Sequence, residues 1–226
     1  MIRRFPYLLV FAVFLMAPAS LWGGEVVDRI VASVNGQIIL QSDWEDAIRF
    51  QALEDARTAD SLNPDDRKSA LDHLVDQELL KEQMNSLDFH HATDQEIDAR
   101  IQGIRKQYSG AESQESWNAV LNRYGFTEGE LRKHVAMELD LMKLVDSHLR
   151  PNVNIDPNSI ESYYSQQLLP QLKQSGVEPV PLAEVTPQIK ELLTQQRVNE
   201  LLLAWLQNLR SGSDIRTSTN SGDNLQ

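Results

Sequence analysis

Apolar and polar residues alternate imperfectly between Val26 and Val34, and a second apolar run extends from Gln37 to Leu40. Asn35-Gly36 lies between the two runs. Both central residues of a type I′ turn need a positive φ, which Asn and Gly adopt more readily than other residues. The pattern therefore predicts an N-terminal β-hairpin. Because a hairpin alone is marginally stable in water, other elements must cover it.

Downstream of the hairpin, apolar residues recur every three or four positions, as they do on one face of an α-helix. The clearest series are Ile97, Ile101, Ile104 and Tyr108, and Leu131, Val135, Leu139, Met142, Val145 and Leu149. A last sizeable helix is predicted from about Pro187 to Arg210, with Gly212 placed to end it. The segment from Ser213 to Thr217 is predicted to form a short closing strand.

Several helix starts are marked by capping residues. Ser42, Thr93 and Thr127 each precede a carboxylate by three residues, which is the pattern of a capping box. Asn63-Pro64 and Asp156-Pro157 place an N-cap residue before a proline that fits the first helical position. The sequence thus predicts a mainly α-helical protein of about six helices with a small β component.

The first residues have the order of a secretory signal peptide. Arg3 and Arg4 are followed by an apolar stretch from Tyr7 to Met16 and by the small residues Ala17-Pro18-Ala19. We predict cleavage after Ala19, because about a dozen apolar residues fall short of the roughly 20 that span a bilayer. The mature chain is then expected to have no stable membrane insertion.

The formal net charge is -12, and the basic residues are scattered along the chain. Nucleic-acid binding requires a basic face, so no nucleic-acid partner is predicted. With 0 Cys, the chain can form neither disulfides nor thiolate metal sites, and it has no cysteine nucleophile. An acidic surface instead favours solubility, which suits a protein that exposes apolar patches.

Candidate chemistry is sparse. The sequence has no HExxH motif, no Gly-x-Ser-x-Gly motif and no glycine-rich phosphate loop. His90-His91 could suggest a metal site, but adjacent side chains on a loop diverge and a second pair at ligand spacing is missing. We therefore predict no catalytic residue, no metal and no cofactor.

Residues 27–43 carry the order Val-Asp, apolar strand, Asn-Gly turn, apolar strand and Ser-Asp helix cap. This order resembles the N-terminal signature of the SurA family of periplasmic chaperones. Leu71–Met84, Asn154–Pro157 and Val180–Val185 with the following helix are similar to later segments of that family. The resemblance implies a helical SurA N-terminal, peptide-binding-domain-like core with a small β-hairpin, completed by a C-terminal helix and a short strand.

The chain departs from the family in its middle. Typical members carry one or two parvulin-type prolyl isomerase domains between the post-core helix and the closing helix, whereas here only residues 166–179 join them. The five histidines stand in helical or loop contexts unlike the histidine-containing strand of parvulins. We therefore do not expect the protein to be an enzyme.

These observations predict a signal peptide (1–19), a single SurA-like domain (20–217) and a disordered tail (218–226) rich in Ser, Asn, Gly and Asp. Within the domain, a linker (166–179) joins an N-terminal part (25–165) to a closing C-terminal segment (180–217). Both ends of the chain are expected to contribute to one core.

The resemblance implies ATP-independent binding of unfolded outer-membrane protein precursors in the periplasm. Methionine and aromatic side chains adapt to many partner sequences. The candidate contact residues are therefore Trp44, Phe50, Met84, Phe89, Trp117, Tyr124, Tyr163 and Tyr164. Two alternatives stay open: a prolyl isomerase with a degenerate domain, and a subunit of an envelope assembly complex with one fixed partner. The sequence carries no signal for an oligomeric state.

Deletion of the chain from Pro187 onward should abolish cooperative folding, because the shared core would lose its closing helix and strand. Thermal unfolding followed by circular dichroism checks this expectation. A truncated protein that still melts cooperatively would show that the two ends do not share a core.

Overall fold

The computed structural model describes residues 28–58, 61–85, 87 and 89–218. The predicted signal peptide and residues 219–226 of the predicted tail lie outside the described residues. The helices are α1 (Gln41–Glu54), α2 (Pro64–Met84), α3 (Asp94–Arg105), α4 (Gln114–Arg123), α5 (Glu128–Leu149), α6 (Pro157–Tyr163), α7 (Leu169–Gln174) and α8 (Leu182–Ser211). The strands are β1 (Ile30–Val34), β2 (Gln37–Leu40) and β3 (Ile215–Thr217). The mainly helical fold class is confirmed.

The predicted hairpin forms the start of a three-stranded antiparallel sheet. Asn35 and Gly36 have φ angles of 49° and 88°, as the tight turn between β1 and β2 requires. β3 pairs with the other edge of β1, so the strand order is β2-β1-β3. The short closing strand expected near Ile215 is therefore present, and the C-terminal residues complete the N-terminal hairpin.

Most predicted helix starts have the expected caps. In α3, the hydroxyl of Thr93 accepts from the backbone N–H of Glu96 at 3.3 Å, and the Glu96 carboxylate accepts from the N–H of Thr93 at 2.7 Å. Thr127 and Asn63 begin α5 and α2 with the same reciprocal pattern, and Asp156 caps α6. Short-range capping chemistry therefore located these helices correctly.

The predicted cap at Ser42 is wrong. α1 begins at Gln41, directly after β2, and the carboxylate of Asp43 accepts from the backbone N–H of Leu40 at 2.9 Å. The hydroxyl of Ser42 instead contacts the carboxylate of Asp28, which lies just before β1. The chain therefore passes from strand to helix without a turn, and Ser42 ties the start of α1 to the start of the sheet.

The last helix is longer than predicted. α8 begins at Leu182, and Pro187 lies inside it. A proline within a helix removes one backbone hydrogen bond without always ending the helix. Ile189 is buried and Leu182 and Val185 are half-buried, so packing on both sides of Pro187 maintains the helix. The expected start at Pro187 is corrected to Leu182.

The residues of the predicted linker are helical as far as Gln174. α6 continues through a π-helical turn, Tyr164–Leu168, into α7, and the loop that joins α7 to α8 is Ser175–Pro181. The hydroxyl of Tyr164 donates to the carbonyl of Val180 at 2.7 Å across this loop. The loop is therefore held against the helix that precedes it.

Most of the buried apolar residues fall into two clusters. One lies among α1, α3, α4 and α5, and includes Ile48, Leu53, Ile97, Ile101, Ile104, Trp117, Leu121, Phe126, Leu131 and Val135. The other lies between the sheet and α2, and consists of Val31, Ala32, Val34, Ile39, Leu71, Val75 and Leu79. Trp44 packs against both clusters, and its indole N–H donates to the carbonyl of Arg67 at 2.8 Å. Trp44 therefore joins the two clusters.

Asn35 connects the hairpin turn to the C-terminal segment. Its backbone N–H donates to the carbonyl of Asp214 at 2.9 Å, and its side-chain oxygen accepts from the N–H of Asp214 at 2.9 Å. Its side-chain amide also donates to the Glu82 carboxylate at 2.8 Å and to the Ser213 hydroxyl at 3.2 Å. One side chain thus links the hairpin, α2 and the residues before β3.

Replacing Asn35 by glycine should destabilise the protein by about 1–3 kcal/mol, because the Asp214 N–H and the Glu82 carboxylate lose their partner. Glycine keeps the positive φ without strain, so the loss reports the side-chain bonds together with the greater freedom of glycine in the unfolded chain. Urea unfolding measures the effect, with Asn122→Ala on the exposed surface of α4 as a control. Equal stability of the two variants would show that Asn35 does not hold the C-terminal segment.

Candidate functional site

A wide groove runs between α1, α2, α5 and α8, with β2 at one end. Its volume is about 1550 Å³, which exceeds the roughly 300–1,000 Å³ of typical small-molecule pockets. Its apolar lining includes Ile38, Phe50, Leu74, Leu80, Met137, Leu141, Met142, Val145, Val198, Leu202, Leu203 and Leu206. The groove has the size and lining to hold part of a polypeptide chain.

Several large apolar side chains in this groove are open to solvent. Leu203 is 69% exposed, Ile38 is 55% exposed and Met142 is 49% exposed. Large apolar side chains that cluster on a surface mark interaction sites more often than scattered ones do. Met142 and Met137 add side chains that can adopt many shapes, which suits binding to variable sequences. The groove is therefore the candidate binding site.

A ring contact and two ion pairs connect α8 to the helices α5 and α2 on the other walls of the groove. The imidazole of His148 on α5 lies 4.5 Å from the ring centroid of Trp205 on α8. The guanidinium of Arg150 contacts the Glu191 carboxylate at 3.0 Å, again between the end of α5 and α8. On the other side, Arg210 of α8 contacts Asp76 of α2 at 2.6 Å. The exposed apolar residues thus lie on helices that side-chain contacts hold together.

A second feature of the groove is a cluster of carboxylates. Glu54 and Asp55 at the end of α1 and Glu138 of α5 all line it. Arg100 of α3 contacts both glutamates, at 2.9 Å in the case of Glu138. Two glutamates thus share one guanidinium, with Asp55 beside them. The local charge is negative even after this pairing.

Burial and the neighbouring Glu138 carboxylate raise the pKa of Glu54 from 4.5 to about 7. On the same side of the groove, burial lowers the pKa of His134, whose ring stacks on Phe50 at 5.0 Å. The surroundings in this part of the groove therefore disfavour both the negatively charged form of Glu54 and the positively charged form of His134.

Three of the predicted contact residues belong to the packed interior. Trp117 is 1% exposed and Tyr124 is 6% exposed, and both lie in the cluster among α1, α3, α4 and α5. In this conformation they present no surface to a ligand. Trp44 is half-buried and packs against both core clusters.

Of the other five, only Phe50 lines the groove. Met84 is half-buried at the end of α2, and Phe89 packs on His91 with ring centroids 4.7 Å apart. Tyr163 and Tyr164 are half-buried near the junction of α6 and the π-helical turn. The structure therefore does not gather the eight predicted residues into one site.

The sequence reasoning missed most of the groove. Met142 was placed in the buried series of α5, but the buried positions of that helix are Leu131, Val135, Leu144 and Leu149. Leu203 follows Leu201 and Leu202, and three successive leucines cannot all face one side of a helix. That run was the available signal that α8 carries apolar residues on more than one face.

Neither a membrane span nor a metal site is found in the part of the chain that the structure describes. None of its helices combines the length and the apolar character needed to cross a bilayer. Within the described ranges, no three His, Asp or Glu side chains are placed to share a metal ion.

Comparisons with known proteins match the sequence of this chain over much of its length. A family model described as the SurA-like N-terminal domain matches residues 3–145. Chaperone SurA of Chromohalobacter salexigens is 27% identical over 169 residues, which cover 74% of this chain and 38% of that protein. Chaperone SurA of Hydrogenovibrio crunogenus is 25% identical over 220 residues, covering 92% of this chain and 46% of the relative.

A further relative, Chaperone SurA of Escherichia coli O157:H7, is 25% identical over 162 residues, which cover 70% of this chain and 37% of that protein. The chain thus spans less than half the length of these curated relatives. The matched residues 3–145 include the hairpin signature in residues 27–43.

The raised pKa of Glu54 should make stability fall as the pH rises. A carboxyl group whose pKa is about 7 in the folded state and 4.5 otherwise stabilises the fold fully below pH 4.5, and this contribution is lost as the pH rises through 7. Glu54→Gln keeps the side chain neutral, so the variant should gain stability relative to the unmodified protein between about pH 5 and pH 8.

Urea unfolding at several pH values in this range measures the difference between the two proteins. Glu200→Gln, which alters an exposed glutamate paired with Arg197 on α8, is the matched control and should show no such trend. Parallel pH profiles for Glu54→Gln and the unmodified protein would contradict the expectation.

Proposed function

Because the chain belongs to the SurA-like N-terminal domain family, we propose that it is a chaperone that holds unfolded polypeptides in the groove between α1, α2, α5 and α8. The observation that carries this proposal is the set of solvent-open apolar side chains on braced helices, above all Leu203 and Met142. A holding chaperone needs affinity without one fixed geometry. Many weak apolar contacts along a groove provide it, and a long client that engages several of them binds more tightly.

The proposed clients are precursors of outer-membrane proteins, and the proposed compartment is the periplasm. Support comes from the signal-peptide pattern in residues 1–19 and from the relatives named Chaperone SurA. Unfolded β-barrel strands alternate apolar and polar residues, so an apolar groove can hold one face of such a segment. Binding of this kind uses no ATP and no catalytic residue.

We further propose that residues 20–217 act as one domain and that Phe50 is a contact residue in the groove. Met84, Phe89, Tyr163 and Tyr164 are half-buried outside the groove lining, and we propose them as secondary contacts for a client that extends beyond it. Trp44, Trp117 and Tyr124 are left out of the proposed contact set because they pack in the core.

The purified protein in several-fold molar excess should suppress light scattering by an unfolded porin as it is diluted from denaturant. The double variant Met142→Ser with Leu203→Ser should suppress it several-fold less well, because two exposed apolar contacts are lost. Both side chains are about half exposed or more, so the variant is expected to fold. Leu192→Ser is the matched control, since Leu192 is an exposed leucine of the same helix outside the groove lining.

No suppression by the unmodified protein would count against a chaperone. Suppression that survives in the double variant would place binding outside the groove. Two further measurements address the alternatives: proline isomerisation of a model peptide would reveal an isomerase, and a single stoichiometric partner in envelope extracts would indicate a fixed-partner subunit.

A further inference from the structure

The carboxylates that line the groove are unevenly matched with cations. Four of them are paired with a basic side chain, in the pairs Asp46–Arg49, Asp76–Arg210, Glu78–Lys81 and Asp146–Arg150. Arg150 and Arg210 also contact Glu191 and Asp72, which do not line the groove. Asp43 is occupied by the backbone N–H of Leu40. The second lysine in the lining, Lys143, contacts Glu96 at 2.7 Å. The remaining carboxylates of the groove lining, which are Glu54, Asp55 and Glu138, therefore carry its excess negative charge.

That excess lies where α1 meets α5. Glu54, Asp55 and Glu138 line the groove, and Arg100 is the basic side chain that contacts this cluster within the described part of the chain. Arg100 belongs to α3 and does not line the groove, so it reaches the two glutamates from behind. Among the described residues, no ion pair joins these three carboxylates to a basic side chain that lines the groove.

The two glutamates are partly buried in a groove whose lining is largely apolar. The side chains of Glu54 and Glu138 are only 23% and 28% exposed. Phe50 lies four residues before Glu54, Met137 directly precedes Glu138, and both line the groove. Charge that is partly removed from water interacts more strongly with an opposite charge than fully hydrated charge does. An arriving cation would thus meet three carboxylates that have one guanidinium among them, and two of the three are only partly hydrated.

Resting on the proposed function, we propose that the groove takes an apolar polypeptide segment that carries a lysine or arginine, and that Glu54, Asp55 and Glu138 bind its cationic side chain. Two independent features support one occupant: the exposed apolar residues Leu203 and Met142 match its apolar part, and the carboxylate cluster matches its charge.

Charge also argues against other occupants. The chain carries a formal net charge of -12, so a second copy would bring more negative charge to an already acidic site. Acidic lipid headgroups would be repelled for the same reason. A basic apolar segment of another polypeptide is the partner that the groove complements in both respects.

The test uses three fluorescently labelled peptides that share one apolar sequence and differ at a central position, which is Lys, Gln or Glu. Fluorescence anisotropy at low ionic strength measures their affinities for the purified protein. The Lys peptide should bind about two- to fivefold more tightly than the Gln peptide, which is the upper part of the range for an exposed ion pair. The Glu peptide should bind more weakly than the Gln peptide, and added salt should reduce both differences.

Glu138→Gln and Asp55→Asn, made separately, should each reduce the preference for the Lys peptide over the Gln peptide. Two variants are used because Glu138 also contacts Arg100, so its replacement could disturb the helices, whereas Asp55 lies after the end of α1. Glu200→Gln, on α8 but outside the groove lining, is the matched control and should leave the preference unchanged. Thermal melting verifies that each variant is folded.

Equal binding of the Lys and Gln peptides would overturn the inference and leave the proposed groove intact. A Lys preference that persists in both folded variants would also overturn it, because the cation would then bind elsewhere. Failure of all three peptides to bind would contradict the groove as a polypeptide site, and the proposed function with it.

Discussion

The fold depends on the hydrogen bonds along both edges of β1. Val31, Ala32 and Val34 of this strand are buried, and buried backbone amides and carbonyls need partners because water cannot reach them. β2 supplies one set of partners through a two-residue turn, but the other set comes from β3, at residues 215–217. The chain must therefore return to its beginning, and α8 is the element that returns it. The groove exists because α8, on its way back, lies across α2 and α5 without filling the space between them.

The parts of this fold that could be predicted are those set by neighbours in sequence. Asn35-Gly36 identified the hairpin, and Thr93 and Thr127 located the helices that they cap. The predictions of helix starts were wrong where contacts between residues distant in sequence determine the structure. Ser42 has the sequence of a cap but contacts Asp28 instead. Pro187 looks like a helix start but lies inside α8, because the residues on both sides of it are packed.

The candidate site was less predictable than the fold, for a related reason. Aromatic residues were reasonable candidates for binding, yet Trp117 and Tyr124 are needed to fill the core. Whether an apolar side chain lies in a core or in a groove depends on which helices meet around it, and that is not contained in the periodicity of one helix. The carboxylate cluster shows the same dependence, since Glu54, Arg100 and Glu138 come from three helices.

The bond between Asn35 and Asp214 joins residues 179 positions apart. Contacts this distant in sequence close large loops and slow the search for the native state. Until residue 217 has been synthesised, β1 has only one partner strand, and until α8 is complete the groove lacks one of its walls. The completed protein and its groove therefore arise together and late. A growing chain leaves one edge of β1 without a partner until its synthesis is nearly complete. For that interval it shares an unpaired strand edge with the unfolded chains it is proposed to bind.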